Sequence, residues 1–267
     1  MNTCNRMPLP AIPAIARLAL LDTNGQMDDE IYSARFVRGL FDRMSRSYER
    51  MNLITSFGFS ERWRRQMIAL VAPTHNSPVV LDLMSGMGET WGALRRAIPE
   101  GNFHALDFSK QMIEHAHTRN ESRFDNVFTL YADDFLANTL PSAQFDVIVS
   151  AYGLKTFDAQ QSRTFANEVT RILAPGGQFS FIEVAETPYR LLRAAYDVYL
   201  SKVVPVIGRL LLSDPAEYRM LYRYVRAYGT GERSLAALSE HTLLTVERRE
   251  HFFGCAVSFT GTRLRDH

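Results

Sequence analysis

Residues 79–89, VVLDLMSGMGE, form a short apolar run that ends in an acid and breaks into a turn carrying Gly86 and Gly88. The pattern reads as a strand feeding a nucleotide-binding turn. Glycines let the backbone approach a ligand closely and adopt dihedrals that a side chain forbids, and a helix from about Thr90 would present unpaired N–H groups to it. The dinucleotide fingerprint is incomplete, because Thr90 or Trp91 stands where its third glycine would fall. Taken alone, the stretch also fits a tight strand-to-helix turn that binds nothing.

The flanking sequence narrows the choice. Apolar strand candidates at 79–84, 102–107, 126–131, 145–151 and 178–184 alternate with helical patterns at 90–98, 109–119 and 160–173, while 132–144 reads as a looser crossover. Near-continuous apolar runs of this kind suit parallel strands buried on both faces. The segment LAPGGQ (173–178) is a helix stop and turn. Helical segments follow around 188–203 and 215–228, and LLTVERRE (243–250) and FFGCAVSFTGT (252–262) close the chain as a hairpin. Before the turn, residues 31–52 place Phe36, Leu40, Phe41, Met44 and Tyr48 at helical spacing, giving an amphipathic helix. After a loop at 53–59, Ser60 is the expected N-cap of a second helix that Pro73 and Pro78 bring to an end. The expected architecture is a doubly wound α/β sheet that closes with an antiparallel strand. Asp107 ends the second strand about twenty residues beyond the glycines, where a carboxylate can accept both hydroxyls of a ribose. It could instead be a turn acid or N-cap, although Ser109 is available to cap the helix that follows. An adenosine-containing ligand is therefore expected.

Composition excludes several classes. The chain has 267 residues, 46% hydrophobic and 22% charged, which suits a folded globular protein rather than a disordered one. Thirty basic and 29 acidic side chains leave a formal charge of +1, so no global field favours nucleic acid. Cys4 and Cys255 form neither a metal pattern nor a redox pair, consistent with a reducing cytoplasm. His115 and His117 stand two apart on a helix and do not share a face, so no metal site is expected. The apolar stretch 7–21 is broken by three prolines and Arg17, with no small-residue cleavage site after it. Residues 1–30 are expected to be a mobile tail ahead of one domain, 31–267. No uninterrupted apolar run approaches the ~20 residues that span a bilayer, so any membrane contact would be peripheral.

Six segments together carry a family likeness: FDRMSRSYERMNLITSFGFSERWRR (41–65), LDLMSGMGE (81–89), ALDFSKQM (105–112), FDVIVSAYGLK (145–155), RILAPGG (171–177) and YDVYLSKVVPVIGRLLLSDPAEYRML (196–221). Over residues 36–261 the chain resembles the UbiE-type C-methyltransferases of ubiquinone and menaquinone biosynthesis. The resemblance implies a class I methyltransferase fold, Rossmann-like with seven strands and the last antiparallel. A helical cover at 31–73 and a helical insertion at 186–230 would accompany it. S-adenosylmethionine is the implied cofactor. Asp82, Ser85, Gly86 and Gly88 match the family's first motif, beside the methionine part of the cofactor, and Asp107 matches its ribose-binding acid. Phe108 and Met112 would flank the adenine, Asp133 would contact its amino group, and Ser150 and Tyr152 would border the sulfonium. Two departures stand out. The turn reads SGMGE where family members show a GGTGD-like sequence, and GLKTF (153–157) carries Lys155 and Thr156 where the family commonly has Arg-Asn. Arginine and lysine differ in hydrogen-bond geometry and acidity, so the exchange bears on the substrate.

Methyl transfer from a sulfonium to a ring carbon requires an electron-rich carbon, alignment and exclusion of water. Lys155 would serve as a base or as the cation beside a phenolate, with Tyr152 next to it. Tyr48, Asn52, Phe57, Trp63, Tyr189, Tyr196 and Tyr199 are the candidate walls for a small aromatic substrate, most of them with core packing as the alternative. Residues 203–212 would admit a lipophilic chain or form a homodimer contact. Three other readings fit the residues: N- or O-methylation of a soluble aromatic, a nicotinamide-dependent oxidoreductase, and a non-catalytic binding protein on the same fold. The missing third glycine and the C-terminal hairpin count against the oxidoreductase.

Overall fold

The structure, a computed structural model, describes residues 28–45, 49, 54, 56–204, 206 and 216–265. Tyr48, Asn52, nearly all of the N-terminal tail and most of 203–212 lie outside them. Among the described residues, seven strands form one sheet in the order β3-β2-β1-β4-β5-β7-β6. They are β1 (Val79–Leu83), β2 (Asn102–Asp107), β3 (Phe128–Ala132), β4 (Phe145–Ala151), β5 (Leu173–Val184), β6 (Glu247–His251) and β7 (Ala256–Thr262). The first five run parallel, and β7 lies antiparallel between β5 and β6. Because β1 lies between β2 and β4, its carboxyl end sits where the strand order reverses, the position at which open α/β sheets bind ligands.

Among the described residues, the α-helices of seven residues or more are α1 (Ala34–Met44), α2 (Phe59–Ile68), α3 (Trp91–Ala97), α4 (Lys110–Phe124), α5 (Ala159–Ile172), α6 (Arg190–Val198), α7 (Ala216–Tyr228) and α8 (Glu232–Ser239). Four local expectations need correction. The helix expected from residue 31 is split: a single turn at Asp28–Ile31 ends before Ser33, whose side chain accepts from Phe36 N and caps α1 at Ala34. Ser60 lies inside α2, behind a left-handed Gly58, and it is the Ser56 hydroxyl that accepts from Ser60 N (3.2 Å). The LAPGG turn is absorbed into β5 as a bulge: Phe145 pairs with Leu173, yet Val147 pairs with Gln178. Helix α8 was not visible as a separate element in the sequence, where ERSLAALS follows the Gly229 and Gly231 breaks directly.

One core packs on each face of the sheet. One is built around Phe145, Phe165, Phe179, Phe181 and Phe259, the other around Trp63, Met67, Trp91, Phe103 and Phe128. A third cluster joins Val37, Leu40 and Met44 of α1 to Met87, Met112 and Tyr224, so the N-terminal helix is seated over the glycine turn. Ser109 caps α4 by accepting from Met112 N (3.2 Å), which leaves Asp107 free of that task.

The absent third glycine has a packing explanation. Trp91 stacks on Phe128 with centroids 4.2 Å apart and is fully buried. A Cβ on Gly88 would lie 2.4 Å from its indole, and Gly88 has φ +81°. The tryptophan that replaces a glycine thus makes Gly88 obligatory. Gly88→Ala is expected to cost about 3 kcal/mol through overpacking and left-handed strain, seen as a lowered melting temperature.

Candidate active site

Two adjoining hollows lie above the carboxyl ends of β1, β2 and β4. The first is a cleft walled by Ser85, Gly86 and Glu89 of the turn, Asp107, Phe108 and Met112 beyond β2, and Asp133 beyond β3. Tyr32, Val37 and Phe41 close it from the N-terminal side, and Arg64 enters it from α2. Asp107 is buried, and its two oxygens accept from Gly86 N (2.8 Å) and Ser109 N (2.9 Å). Each oxygen keeps a second lone pair, so the carboxylate remains bidentate toward two hydroxyls. Burial pushes its pKa up to about 6 against the lowering effect of those two N–H groups. The Arg38 guanidinium lies over the Phe108 ring at 5.2 Å.

Beneath the turn, polar atoms are buried without protein partners. Oγ of Ser85 and Oε1 of Glu89 are of this kind, and the Asp82 carboxyl has only the Trp91 indole beside it, without a well-formed hydrogen bond. Burial, with the Glu89 charge adding to it, raises Asp82 well above the usual carboxylate range. Buried groups left this way cost about 1–3 kcal/mol each unless a ligand completes them. A molecule with an ammonium at one end and a ribose at the other suits this set: acids and a hydroxyl at the turn, a bidentate acid twenty-one residues on. Glu89 and Arg64 were not singled out in the sequence. Glu89 stands in the quoted turn, where its Oε2 accepts from Met87 N (3.1 Å), and Arg64 stands in the RWRR segment.

The second hollow is an apolar cavity of about 420 Å³. Phe57, Phe59, Trp63 and Phe252 line one side, Tyr196, Tyr199 and Val204 another, and Lys155 and Cys255 lie along its wall. Tyr152 lines both hollows. Its backbone is left-handed, φ +70°, a costly conformation for a non-glycine residue and one that clusters at functional sites. Its hydroxyl donates to Ser60 O (2.7 Å), and Arg64 sits 5.1 Å over its ring.

The other expected site residues divide. Phe57, Trp63, Tyr196 and Tyr199 do line the cavity, whereas Tyr189 is 57% exposed and packs edge-on against Phe253 outside it. Ser150 is not in either lining: its hydroxyl donates to Leu83 O (2.8 Å) and ties β4 to β1. Lys155 is held in a buried pair, with Nζ 2.9 Å from Glu183 Oε1 and 2.5 Å from Tyr152 O. Glu183 sits at the end of the apolar run QFSFIEV, a buried acid in a strand, and that pattern was the signal available for it. His251 ends β6, and its ring is bonded to Ser258 of β7 (2.7 Å).

Comparison with known proteins agrees with this geometry. A profile of the ubiE/COQ5 methyltransferase family matches residues 28–263. A demethylmenaquinone methyltransferase of Thermus thermophilus is 30% identical over 84% of this chain and 100% of its own length. One of Lactiplantibacillus plantarum is 29% identical over 85% and 95%. A ubiquinone/menaquinone biosynthesis C-methyltransferase UbiE of Hydrogenovibrio crunogenus is 31% identical over 72% and 75%. Among solved structures, a putative S-adenosyl-L-methionine-dependent methyltransferase of Methanococcus maripaludis superposes with a TM-score of 0.57 at 16% identity, covering 88% of this chain and 95% of that one. With fold, cofactor-shaped cleft and sequence in agreement, the chain belongs to the ubiE/COQ5 methyltransferase family, enzymes that draw their methyl group from S-adenosylmethionine.

Proposed function

We propose that this methyltransferase methylates a ring carbon of a hydroxylated aromatic, a quinol or a related phenolic compound. The observation that supports this most is the apolar cavity, which adjoins the cofactor cleft across Tyr152 and has Lys155 in its wall. Its size suits an aromatic ring with apolar substituents. Bound S-adenosylmethionine supplies an activated methyl group. Asp82, Ser85 and Glu89 would hold its amino-acid end, Asp107 its ribose, and Phe108, Met112 and Asp133 its base. The chain's remaining work is positional. Tyr152, fixed by Ser60 and Arg64, separates the two hollows and sets the angle at which a ring can approach the cofactor. Phe57, Phe59 and Trp63 exclude water from the cavity, and Lys155 offers a cation to the ring oxygen.

The experiment is a turnover panel with purified protein and labelled cofactor, containing quinols with and without a prenyl chain and soluble heteroaromatic amines. Product from the quinols supports the reading. Product from the soluble amines alone overturns it in favour of the N-methylating alternative. The names of the relatives add weight, since the chains that resemble this one are named for demethylmenaquinone and for ubiquinone/menaquinone biosynthesis.

A further inference from the structure

The Lys155–Glu183 pair has more structure than a stray ion pair needs. The two side chains are 5% and 0% exposed. Glu183 Oε2 accepts from the backbone N of Lys155 (3.0 Å), and Oε1 accepts from both Lys155 Nζ (2.9 Å) and Val184 N (2.8 Å). Nζ donates a second time, to Tyr152 O (2.5 Å). An ammonium has three donors, and none of the described residues accepts the third. Lys155 also lines the apolar cavity, beside the space where a ring would lie. A buried pair of this kind brings little stability for its desolvation, which makes it weak as a purely structural device.

We propose that Lys155 and Glu183 together form a receptor for an ionised ring hydroxyl, with Lys155 in contact with the oxygen and Glu183 as the residue that positions and counterbalances it. The proposal rests on the reading that the cavity takes a hydroxylated aromatic. The neighbouring groups leave the task to this pair. Tyr196, Tyr199, Tyr222 and Cys255 also line the cavity, and burial raises all four, so they are neutral near pH 7. The Tyr152 hydroxyl is committed to Ser60 O, and Arg64 lies against the Tyr152 ring on the cofactor side. Among the described residues, Lys155 is the one cation in the cavity wall.

In the step this implies, the substrate O–H bond breaks on entry and its proton passes to solvent. The electron pair stays on the oxygen, which accepts the third N–H of Lys155. Density on the ortho and para carbons rises, and one of them would take the methyl group, whose bond to sulfur breaks with the electron pair left on the sulfur; that carbon's own proton is lost to solvent as the product leaves, which restores the aromatic ring. An ammonium has donors and no lone pair, so Lys155 acts as the phenolate's partner rather than as a base.

The test uses 4-nitrophenol as a reporter, read by its phenolate absorbance during pH titration with full-length protein saturated with S-adenosylhomocysteine. In the unaltered protein the bound phenol should ionise at least about one unit below its free value, the effect of a close opposite charge. In Lys155→Met that shift should vanish and Lys155→Arg should restore it in part, whereas in Glu183→Gln, where no carboxylate offsets the ammonium, it should grow. S-adenosylhomocysteine affinity should stay within about twofold throughout, since neither residue lines the cofactor cleft. If Glu183→Gln does not fold, the double variant K155M/E183Q, which removes both charges together, is titrated instead and should show no shift. A full shift in Lys155→Met, a lost shift in folded Glu183→Gln, an unshifted reporter in the unaltered protein, or no saturable binding there overturns the proposal. Failure of the quinol panel with the reporter shift intact would instead count against the substrate reading and leave the receptor standing.

Discussion

Asp107→Ala should weaken binding of S-adenosylhomocysteine by roughly a hundredfold, measured by calorimetry. The carboxylate holds the amides of Gly86 and Ser109 in place and offers one further lone pair on each oxygen to a ribose. Hydrogen bonds to a charged acceptor are worth about 1.5–3 kcal/mol each, so losing two of them alone accounts for the expected change. Asp107→Asn keeps one acceptor and should fall between. The same residue sets a pH dependence of opposite sign in the free and bound protein. Its pKa is raised by burial to about 6, above the value of an unfolded aspartate near 4. The folded protein therefore binds a proton more tightly than the unfolded chain does. The stabilisation this brings is full below about pH 4 and disappears as pH rises through 6, amounting to roughly 3 kcal/mol. Asp82 is displaced in the same direction. Cofactor binding needs the ionised form, so affinity should fall about tenfold from pH 7 to pH 5. Over the same interval the melting temperature of the cofactor-free protein should rise relative to that of Asp107→Asn.

Lys155→Met should lower turnover by more than about a hundredfold while also destabilising the fold. Removing one partner of a buried pair leaves the other charge uncompensated, at about 3–5 kcal/mol. Glu183 is fully buried, so this case applies in full. The double variant K155M/E183Q removes both charges and keeps an acceptor oxygen for one of the two amides, of Lys155 or of Val184, that Glu183 now holds. It should recover more than half of the lost stability, read by thermal denaturation, and none of the turnover. A purely structural pair would recover both together.

The sequence was read correctly where one physical rule acts locally. The strands of the parallel sheet show as apolar runs, and their bounds agree with the structure to within about two residues except where β5 takes in the LAPGG bulge. The place of Asp107 in the cleft beside the glycine turn is legible because its distance from the glycines and its position at a strand end are both properties of the chain. Glu183 and Arg64 were harder. Their importance comes from what lies across the fold, Lys155 for one and Tyr152 for the other, and no local spacing encodes those contacts. Ser150 and Tyr189 show the converse. Each is near the right element, but strand alternation turns Ser150 toward Leu83, and Tyr189 precedes α6 on the outside. Trp91 in place of a third glycine looked like a defect of the motif until its stacking on Phe128 showed why the turn needs only two.

The most direct measurement is a single incubation of the purified protein with S-adenosylmethionine carrying a ¹³C methyl group and a 2-prenyl-1,4-naphthohydroquinone, with the product resolved by mass spectrometry and carbon NMR. A product heavier by one methylene unit, with the label bonded to a ring carbon, is the predicted result. A label on oxygen, or no product from protein shown by calorimetry to bind the cofactor, would contradict the account.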